Sequence, residues 1–551
     1  MLKTYKNILN KTQQTILSAA FILAVASGIN AVLGFVKGRL LATYFGDSKE
    51  LAIFYTADRI PDLIYSVLVV GALSTIFIPV FTSIYKKDKA RAWQTASSLI
   101  NITLAFFVIL AFIIFFLAPY LMHLLSVGKF SNEELRTGSD LMRIMLLSQL
   151  ILVVSSFITS ILQSFKYFLI PALAPIAYNI GLIIGIVLLS DKIGIFGPAI
   201  GVAIGAVLHL LVQLPILKNV QFDFIPFNFN FHKNGAGEVF KLMPSRIGSV
   251  LINNLIMTIN NSLAILISAS AVVHLKFANQ LQFFPVNIFG FSIAHACLPT
   301  LSEESGDDDG YQKFKNTFIT SFHQMMFLVI PTSVILLVLR VPIVRIVFGA
   351  AEFPWEATVK TSYALAFFSL SIFAQSGIYL VTRAFYALKD TNTPVRVGSL
   401  TLIINVLISL IFVNMFKFGV WSIAFSFTIT SILNFISLTY LIIQKIGGVE
   451  ILKLVKPFTK ISYAAIFMGA ALYIPLKLLD QIVFDTTRTI NLLLLTGIAS
   501  LLGVVTYLFL TWIFRVEEIE LLYKLARKLK IQKGAPVVAT SSIGPREEIE
   551  D

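Results

Sequence analysis

Long apolar runs separated by short polar loops recur along the whole chain. Each run is long enough to cross a bilayer core, which takes about 20 apolar residues per helix. The predicted spans are Thr15–Tyr44, Asp62–Tyr85, Ser98–Leu125, Leu141–Phe165, Phe168–Ser190, Phe196–Leu217, Val239–Ser268, Leu275–Leu301, Phe318–Phe348, Thr361–Leu388, Val395–Phe416, Gly419–Ile443, Ile461–Leu479 and Ile490–Phe514. The pattern therefore predicts an all-α, polytopic integral membrane protein with about 14 transmembrane helices.

An internal repeat divides these helices into two sets. QSFKYFLIP, which ends at Pro171, parallels YALKDTNTP, which ends at Pro394, and each has a lysine five residues before its proline. FGPAIGVAIGA from Phe196 and FGVWSIAFSFT from Phe418 continue the same register. Because an even number of helices per repeat keeps both repeats in one orientation, they are predicted to be parallel. Two lobes around a central cavity are typical of a transporter, and duplication in a channel or scaffold is the alternative.

The repeat predicts the domain organisation. Residues 1–222 form an N-terminal six-helix lobe, and 237–445 form a C-terminal six-helix lobe that repeats the first. Two additional transmembrane helices follow in 446–515. Residues 516–551 form a basic cytoplasmic tail whose end lacks periodicity and is predicted to be disordered.

Composition and charge agree with a membrane protein. Hydrophobic residues make up 57% of the chain and charged residues only 13%, whereas soluble domains carry roughly 25% charged residues. Lysine and arginine concentrate in alternate loops, such as Lys86 to Arg91, and this bias places both termini in the cytoplasm. The net charge of +14 is then explained by those loops and by anionic lipid headgroups, so no nucleic-acid partner is predicted. We expect a multi-pass protein of the plasma (cytoplasmic) membrane.

No motif indicates an enzyme or a metal site. The six histidines are scattered without metal-ligand spacing, and no glycine-rich phosphate loop is present. The single cysteine, Cys297, can form no intrachain disulfide. Glycines at four-residue spacing, such as Gly181 with Gly185, predict close helix packing. The sequence therefore predicts neither catalytic residues nor a cofactor.

Charged and amide side chains inside the predicted spans are the candidates for function, because such groups are costly in lipid and usually face protein or water. The candidate cavity cations are Lys37, Arg39, Arg59, Arg246 and Lys276, and the candidate polar residues include Asn253 and Gln280. The alternative for the cations near helix ends is snorkelling to the headgroups. For the asparagines of INNLIMTINN, interhelical hydrogen bonding is favoured. Pro285, among amides, predicts a kinked helix.

Four motifs carry a resemblance to a known family: RAFYALKDTNTPV from Arg383, FGAAEFPWEAT from Phe348, QFFPVNIFGFSIAHACLPTLSEE from Gln282 and GALSTIFIPVF from Gly71. Together they resemble the MurJ (MviN) family, which are lipid II flippases of the multidrug/oligosaccharidyl-lipid/polysaccharide exporter superfamily. The similarity covers residues 15 to about 515. It implies two lobes in a V shape, a hydrophobic groove near the last two helices for the lipid tail, and a cationic central cavity for the headgroup.

This chain departs from the family pattern at several charged positions. Asn30 and Ala31 replace a Ser-Arg pair of the first span, where Lys37 alone keeps a cation. Ala52 stands in place of an acid, Ser66 and Val70 in place of an arginine and a glutamate, and Gln280 in place of an arginine. Either Lys37, Arg39, Arg59 and Lys276 substitute for the missing cations, or this chain moves a different lipid-linked glycan. Asn30 is accordingly added to the candidate polar residues.

The predicted function is a non-enzymatic flippase that moves lipid II, an undecaprenyl-diphosphate-linked precursor, from the inner to the outer leaflet by alternating access. A flippase for another polyprenyl-linked glycan and a non-transporting scaffold of envelope assembly are the alternatives. Sodium or the membrane potential would drive transport. Asp390 is a candidate sodium ligand, although a role in the turn before the eleventh span is favoured. The partners expected are the glycolipid substrate, membrane lipids and the cell-wall synthesis machinery.

Overall fold

The described part of the chain is built from α-helices. The computed structural model describes residues 16–70, 77–229, 236–306, 311–482 and 489–519. Within these ranges a single isolated bridge, Ala350 with Phe353, is the one β-type pairing. The protein is an all-α integral membrane protein, as the apolar runs predicted. The predicted tail lies almost entirely outside the described residues.

Among the described residues, nine α-helices precede residue 230, with short π- and 3₁₀-helical segments between some of them. They are α1 Ile16–Phe45, α2 Lys49–Ala57, α3 Arg59–Tyr65, α4 Ile78–Tyr85, α5 Lys89–Leu125, α6 Asn132–Ser164, α7 Leu169–Ile193, α8 Phe196–Leu211 and α9 Leu214–Leu217. A π-helix, Ser66–Val70, continues α3.

The helices after residue 235 follow the same pattern. They are α10 Ala236–Ile267, α11 Ala269–Pro285, α12 Ser292–Glu304, α13 Gln312–Val338, α14 Arg340–Phe348, α15 Trp355–Ser369, α16 Ile372–Ala387, α17 Asn392–Leu410, α18 Trp421–Lys445, α19 Ile451–Ile482 and α20 Thr489–Ile513. Two further π-helices, Val286–Phe291 and Ile411–Met415, follow α11 and α17.

Among the described residues, 12 helices are long and apolar enough to cross a membrane, or 13 if the bent pair α15 and α16 is one span. The sequence predicted one more, because part of the span Asp62–Tyr85 falls on residues 71–76, outside the described ranges. The bend of 44° between α15 and α16 has a local cause. The backbone N–H groups of Leu370 and Ser371 donate three residues back, to Phe367 O and Phe368 O. The hydroxyls of Ser369 and Ser371 also donate to the carbonyls of Leu365 and Phe368 at 2.7 Å, so the regular α-helical ladder is interrupted at the bend.

Local sequence signals set several helix starts. Ser131 Oγ accepts from Glu134 N at 3.3 Å while Glu134 Oε2 accepts from Ser131 N at 2.8 Å, a capping box that begins α6. Asp88 and Ser268 cap α5 and α11 in the simpler way, with their side chains accepting from the third residue on. Polar residues between apolar runs therefore fix where these spans begin.

The two repeated tracts fold into the same turn. Lys166 and Lys389 both have left-handed backbones, with φ of 61° and 58°. The following amides, Tyr167 N and Asp390 N, donate five residues back to Leu162 O and Phe385 O at 3.0 and 2.9 Å. This is the Schellman ending of a helix. The shared geometry supports the predicted repeat, while the lobe boundaries themselves stay a prediction.

The predicted irregularity at Pro285 is confirmed, and it has a counterpart in the first half. The α-helix ends at Pro285 and continues as the π-helix Val286–Phe291. The offset between Pro171 and Pro394 moves another π-helix, Ser66–Val70, to 289–293, which overlaps Val286–Phe291 in three residues. Single π-helical turns inside spans occur frequently at functional sites. Both irregular spans contribute residues to the charged cluster described next.

Candidate functional site

Charged side chains of α1, α11 and the start of α3 lie close enough to influence one another electrostatically. Lys276 interacts electrostatically with Arg59, Asp58, Asp62 and Lys37. All five side chains are partly buried. We call these five residues the charged cluster. It brings together three of the cations predicted from sequence, Lys37, Arg59 and Lys276, which come from three different helices.

Aromatic and amide side chains surround the cluster. The Lys276 Nζ atom lies 5.4 Å from the centroid of the Tyr55 ring, a cation–π geometry. Arg59 and Lys276 also line a cavity with Asn260, Asn261 and Asn279 from α10 and α11. The cavity holds about 20 Å³, which is room for about one water molecule. A diphosphate group is far larger, so the surrounding helices must part before one enters.

Two polar atoms of this cavity make no hydrogen bond to the described residues: Arg59 Nε and Asn260 Oδ1. Asn260 is only 3% exposed. A buried polar atom without a partner is costly, so its retention in a cavity wall points to a ligand or to water. By contrast, Asn261 Nδ2 donates to Thr56 Oγ1 at 3.1 Å. That bond between α10 and α2 confirms the predicted interhelical role for this asparagine.

Gln280, where the family resemblance implies an arginine, lies on α11 one turn after Lys276. Its Nε2 donates to the carbonyl of Gly34 at 2.9 Å, which ties α11 to α1. Gly38 lies against the same side chain, and a Cβ placed there would come within 3.2 Å of Gln280 Oε1. The neutral amide thus lets α1 and α11 approach closely.

The structure does not place the remaining predicted residues in the charged cluster. Asn30 Oδ1 accepts from Asn179 Nδ2 at 2.7 Å, which joins α1 to α7. Arg39 donates from Nη1 to Ile346 O at 2.8 Å. Asn253 has an exposed side chain on α10. The side chain of Arg246 lies outside the described residues, although its backbone belongs to α10.

Arg39 is part of a contact that joins the two predicted lobes at the face predicted to be outer. His274 Nε2 on α11 lies 3.0 Å from Asp47 Oδ2, in the loop after α1. This hydrogen bond holds the pKa of Asp47 below its usual value. In the same loop Gly46 has φ +57°, and a Cβ there would lie 1.8 Å from Glu352 O. We call Arg39, Gly46, Asp47 and their partners Ile346, Glu352 and His274 the outer contact.

The carboxylate of Asp390 accepts hydrogen bonds within the turn that it begins. Its Oδ1 accepts from Asn392 N at 3.1 Å and from Thr393 N at 3.0 Å. Its Oδ2 accepts from Thr393 Oγ1 at 2.8 Å and from Lys445 Nζ at 2.5 Å. Burial acts to raise the pKa of Asp390, but the bonds from Lys445 and Thr393 outweigh it and lower the pKa to about 2. The favoured turn role is therefore what the structure shows.

Sequence reasoning missed the two acids of the charged cluster. Asp58 lies between α2 and α3, and Asp62 lies in the first turn of α3. A signal was available, because Asp62 falls inside a predicted span, where ionisable residues are rare and functional. An acid near a helix start is also favourable on ordinary electrostatic grounds, which is why it did not stand out. The proximity of the start of α3 to α1 and α11 depends on how the helices pack, which the local sequence does not show.

An all-helical, multi-spanning protein with a charged cluster inside its membrane region has the architecture of a membrane transporter. The family model described as Lipid II flippase MurJ matches residues 41–494. The chain therefore belongs to the lipid II flippase MurJ family.

Relatives of known name support this membership. The probable lipid II flippase MurJ of Buchnera aphidicola subsp. Acyrthosiphon pisum (strain APS) is 28% identical over 511 residues, which cover 90% of this chain and 97% of that protein. The probable lipid II flippase MurJ of Thermotoga maritima is 26% identical over 492 residues, 89% of this chain and 94% of that one. The resemblance read from the four motifs is confirmed.

Solved structures show the same fold. A lipid II flippase MurJ in an inward closed conformation has a TM-score of 0.74 at 24% identity and covers 91% of this chain and 100% of its own. An inward-facing multidrug resistance MATE family transporter of the MOP superfamily has a TM-score of 0.64 at 15% identity, covering 76% and 94%. The predicted superfamily fold is thus confirmed.

Proposed function

We propose that this chain flips lipid II from the cytoplasmic to the outer leaflet of the cytoplasmic membrane by alternating access, as a transporter without catalytic chemistry. The observation that carries the proposal is the charged cluster, with three cations from three helices, inside a chain that belongs to the lipid II flippase MurJ family. Its relatives bear the same functional name.

The chemistry of the substrate explains why such a site is needed. A diphosphate that links a glycan to a polyprenyl tail cannot cross hydrocarbon unpaired, because an isolated buried charge is strongly disfavoured. Lys37, Arg59 and Lys276 offer ammonium and guanidinium donors for its oxygens. Arg59 Nε is already without a partner among the described residues. The polyprenyl tail stays in lipid while the headgroup passes between the lobes.

The outer contact and the repeat supply a mechanism for access. Both termini lie in the cytoplasm in this proposal, so the outer contact closes the exit while the site loads from inside. The lobes, 1–222 and 237–445, then part on the outer side and the contact breaks. The membrane potential suffices as a driving force, because moving one charge through 100 mV is worth about 2.3 kcal/mol. Interaction with the cell-wall synthesis machinery is part of the same proposal.

Complementation tests the proposal. The chain is expressed in a conditional flippase-depletion strain, and outer-leaflet lipid II is measured by its accessibility to an external reagent. Growth with restored accessible lipid II supports the proposal. Lys37→Ala should reduce accessible lipid II, whereas Lys360→Ala, in an exposed pair with Glu356, should not.

Failure of a well-expressed, membrane-inserted protein would favour another polyprenyl-linked glycan. Gln280 makes this the second candidate, because it is a neutral amide where the family resemblance implies an arginine. Its Nε2 donates to the Gly34 carbonyl. A fully active Lys37→Ala variant would remove the charged cluster from the substrate site.

A further inference from the structure

The two carboxylates of the charged cluster have no structural task that accounts for them. Asp58 precedes α3 in the capping position, yet its side chain makes no capping hydrogen bond. Asp62 follows one turn later on the same helix face. Neither carboxylate forms an ion pair within 4.0 Å or a side-chain hydrogen bond with the described residues, although both act electrostatically on Lys276. The two acids therefore influence the cations electrostatically without forming ion pairs with them.

Counting charges shows what the acids do to an incoming anion. Lys37, Arg59 and Lys276 exceed Asp58 and Asp62 by one positive charge. A diphosphate esterified at both ends carries about two negative charges, so the occupied site would hold one net negative charge in an environment that penalises it. One added proton makes the occupied site neutral. The same proton would raise the net charge of the empty site to two.

Titratable groups of five helices lie around Asp58 and Asp62. Lys37 comes from α1, Tyr55 from α2, Asp58 and Arg59 from the start of α3, Tyr65 from the end of α3, Tyr178 from α7 and Lys276 from α11. Helix α10 contributes neutral amides, among them Asn260, which is buried and has an unpartnered Oδ1 in the adjoining cavity. Among these groups the two carboxylates carry the negative charges that an added proton would remove.

We propose that Asp58 and Asp62 together take up one proton when the diphosphate headgroup binds, so that substrate binding is proton-linked. The proposal rests on the proposed function, since it takes a diphosphate glycolipid as the ligand. The proton comes from water and is shared by the two carboxylates. No other coupling ion is required for neutrality.

Titration calorimetry tests this on the full-length protein in detergent micelles, with a short-tailed lipid II analogue as the probe. Measuring the binding heat in buffers of different ionisation enthalpy counts the protons exchanged. We expect an uptake of about one proton per analogue near pH 7, and an affinity that falls up to about tenfold per pH unit as the pH rises. Asp58→Asn combined with Asp62→Asn should abolish both the proton uptake and the pH dependence of the affinity.

The outcomes separate the two proposals. Tight binding by the wild type without proton uptake overturns the proton link and leaves the flippase proposal standing. Affinity that depends on sodium instead of pH does the same. Absence of binding by folded wild-type protein removes the proposed substrate, and the proton link falls with it. The wild-type measurement decides the matter even if the double variant fails to fold.

Discussion

Substituting Gly46 by alanine should push the protein away from the conformation described here. Gly46 has φ +57°, and a Cβ at this position would lie 1.8 Å from the backbone oxygen of Glu352. The left-handed backbone costs an alanine roughly 1–2 kcal/mol, but the loop carries that strain whether the outer contact is open or closed. The overlap with Glu352 exists only when the contact is closed.

The overlap therefore sets the size of the shift. Overpacking typically costs about 1–3 kcal/mol, and that range corresponds to a change of about 5- to 150-fold in the ratio of open to closed molecules. The lower end is conservative, because the obstructing atom belongs to the backbone and cannot rotate away. Gly194→Ala is the matched control: it has the same φ, +57°, and nothing within 4 Å of its Cβ.

Distances between spin labels would report the shift. Labels at Leu124 and Trp355, which are 61% and 60% exposed, lie near the predicted outer face, one on each predicted lobe. Cys297 is first replaced by serine so that only these sites react. In nanodiscs, Gly46→Ala should lengthen the distance distribution, and Gly194→Ala should leave it unchanged. An unaltered distribution for Gly46→Ala would refute the assignment of Gly46 to a contact that opens.

Three further outcomes are expected. Asp390→Asn should lower thermal stability at pH 7. The pKa of Asp390 is about 2 in the folded protein and 3.8 ordinarily, so its carboxylate stabilises the fold above pH 3.8, and this contribution is lost as the pH falls through about 2. The melting temperatures of the wild type and the variant should therefore converge as the pH is lowered from 7. Gly185→Ala should destabilise the protein by about 1–3 kcal/mol in denaturant titrations, since its Cβ would lie 2.2 Å from Gly201 Cα, whereas Gly28→Ala, with open space around it, should be neutral or stabilising. Lys276→Met should weaken binding of a lipid II analogue about tenfold or more, while Lys360→Met should not; equal affinities would dismiss the charged cluster as the binding site.

Local patterns explain why the helices were predictable. Ser131 and Glu134 begin a span by hydrogen bonding to each other within four residues. The turn at Lys389 likewise depends on a hydrogen bond between neighbours in the chain, from Asp390 N to Phe385 O. The π-helical turn after Pro285 likewise begins next to a residue that cannot donate a backbone hydrogen bond. Such features depend on residues close in the chain, so hydropathy and turn chemistry reveal them.

The cations of the charged cluster could be predicted, but their grouping could not, because it depends on residues far apart in the chain. Each of Lys37, Arg59 and Lys276 could be recognised as costly in lipid, but nothing in their spacing says that three distant spans meet. Arg39, two residues from Lys37, points instead to Ile346 O, because successive helix positions face different sides. Asp58 and Asp62 become candidates for function only because the folded chain brings them near these cations.

The sequence by itself determined that this chain spans a membrane many times and belongs with the lipid II flippases, and it predicted a repeated helical unit, because those properties are carried by hydropathy, periodicity and contiguous motifs. The tertiary structure alone decided which polar residues form one site, that acids balance its cations, and that Gly46 and His274 join the predicted lobes. Electrostatic and steric effects act across space over a few ångströms, and residues more than 200 positions apart, such as Asp47 and His274, become neighbours only when the helices pack.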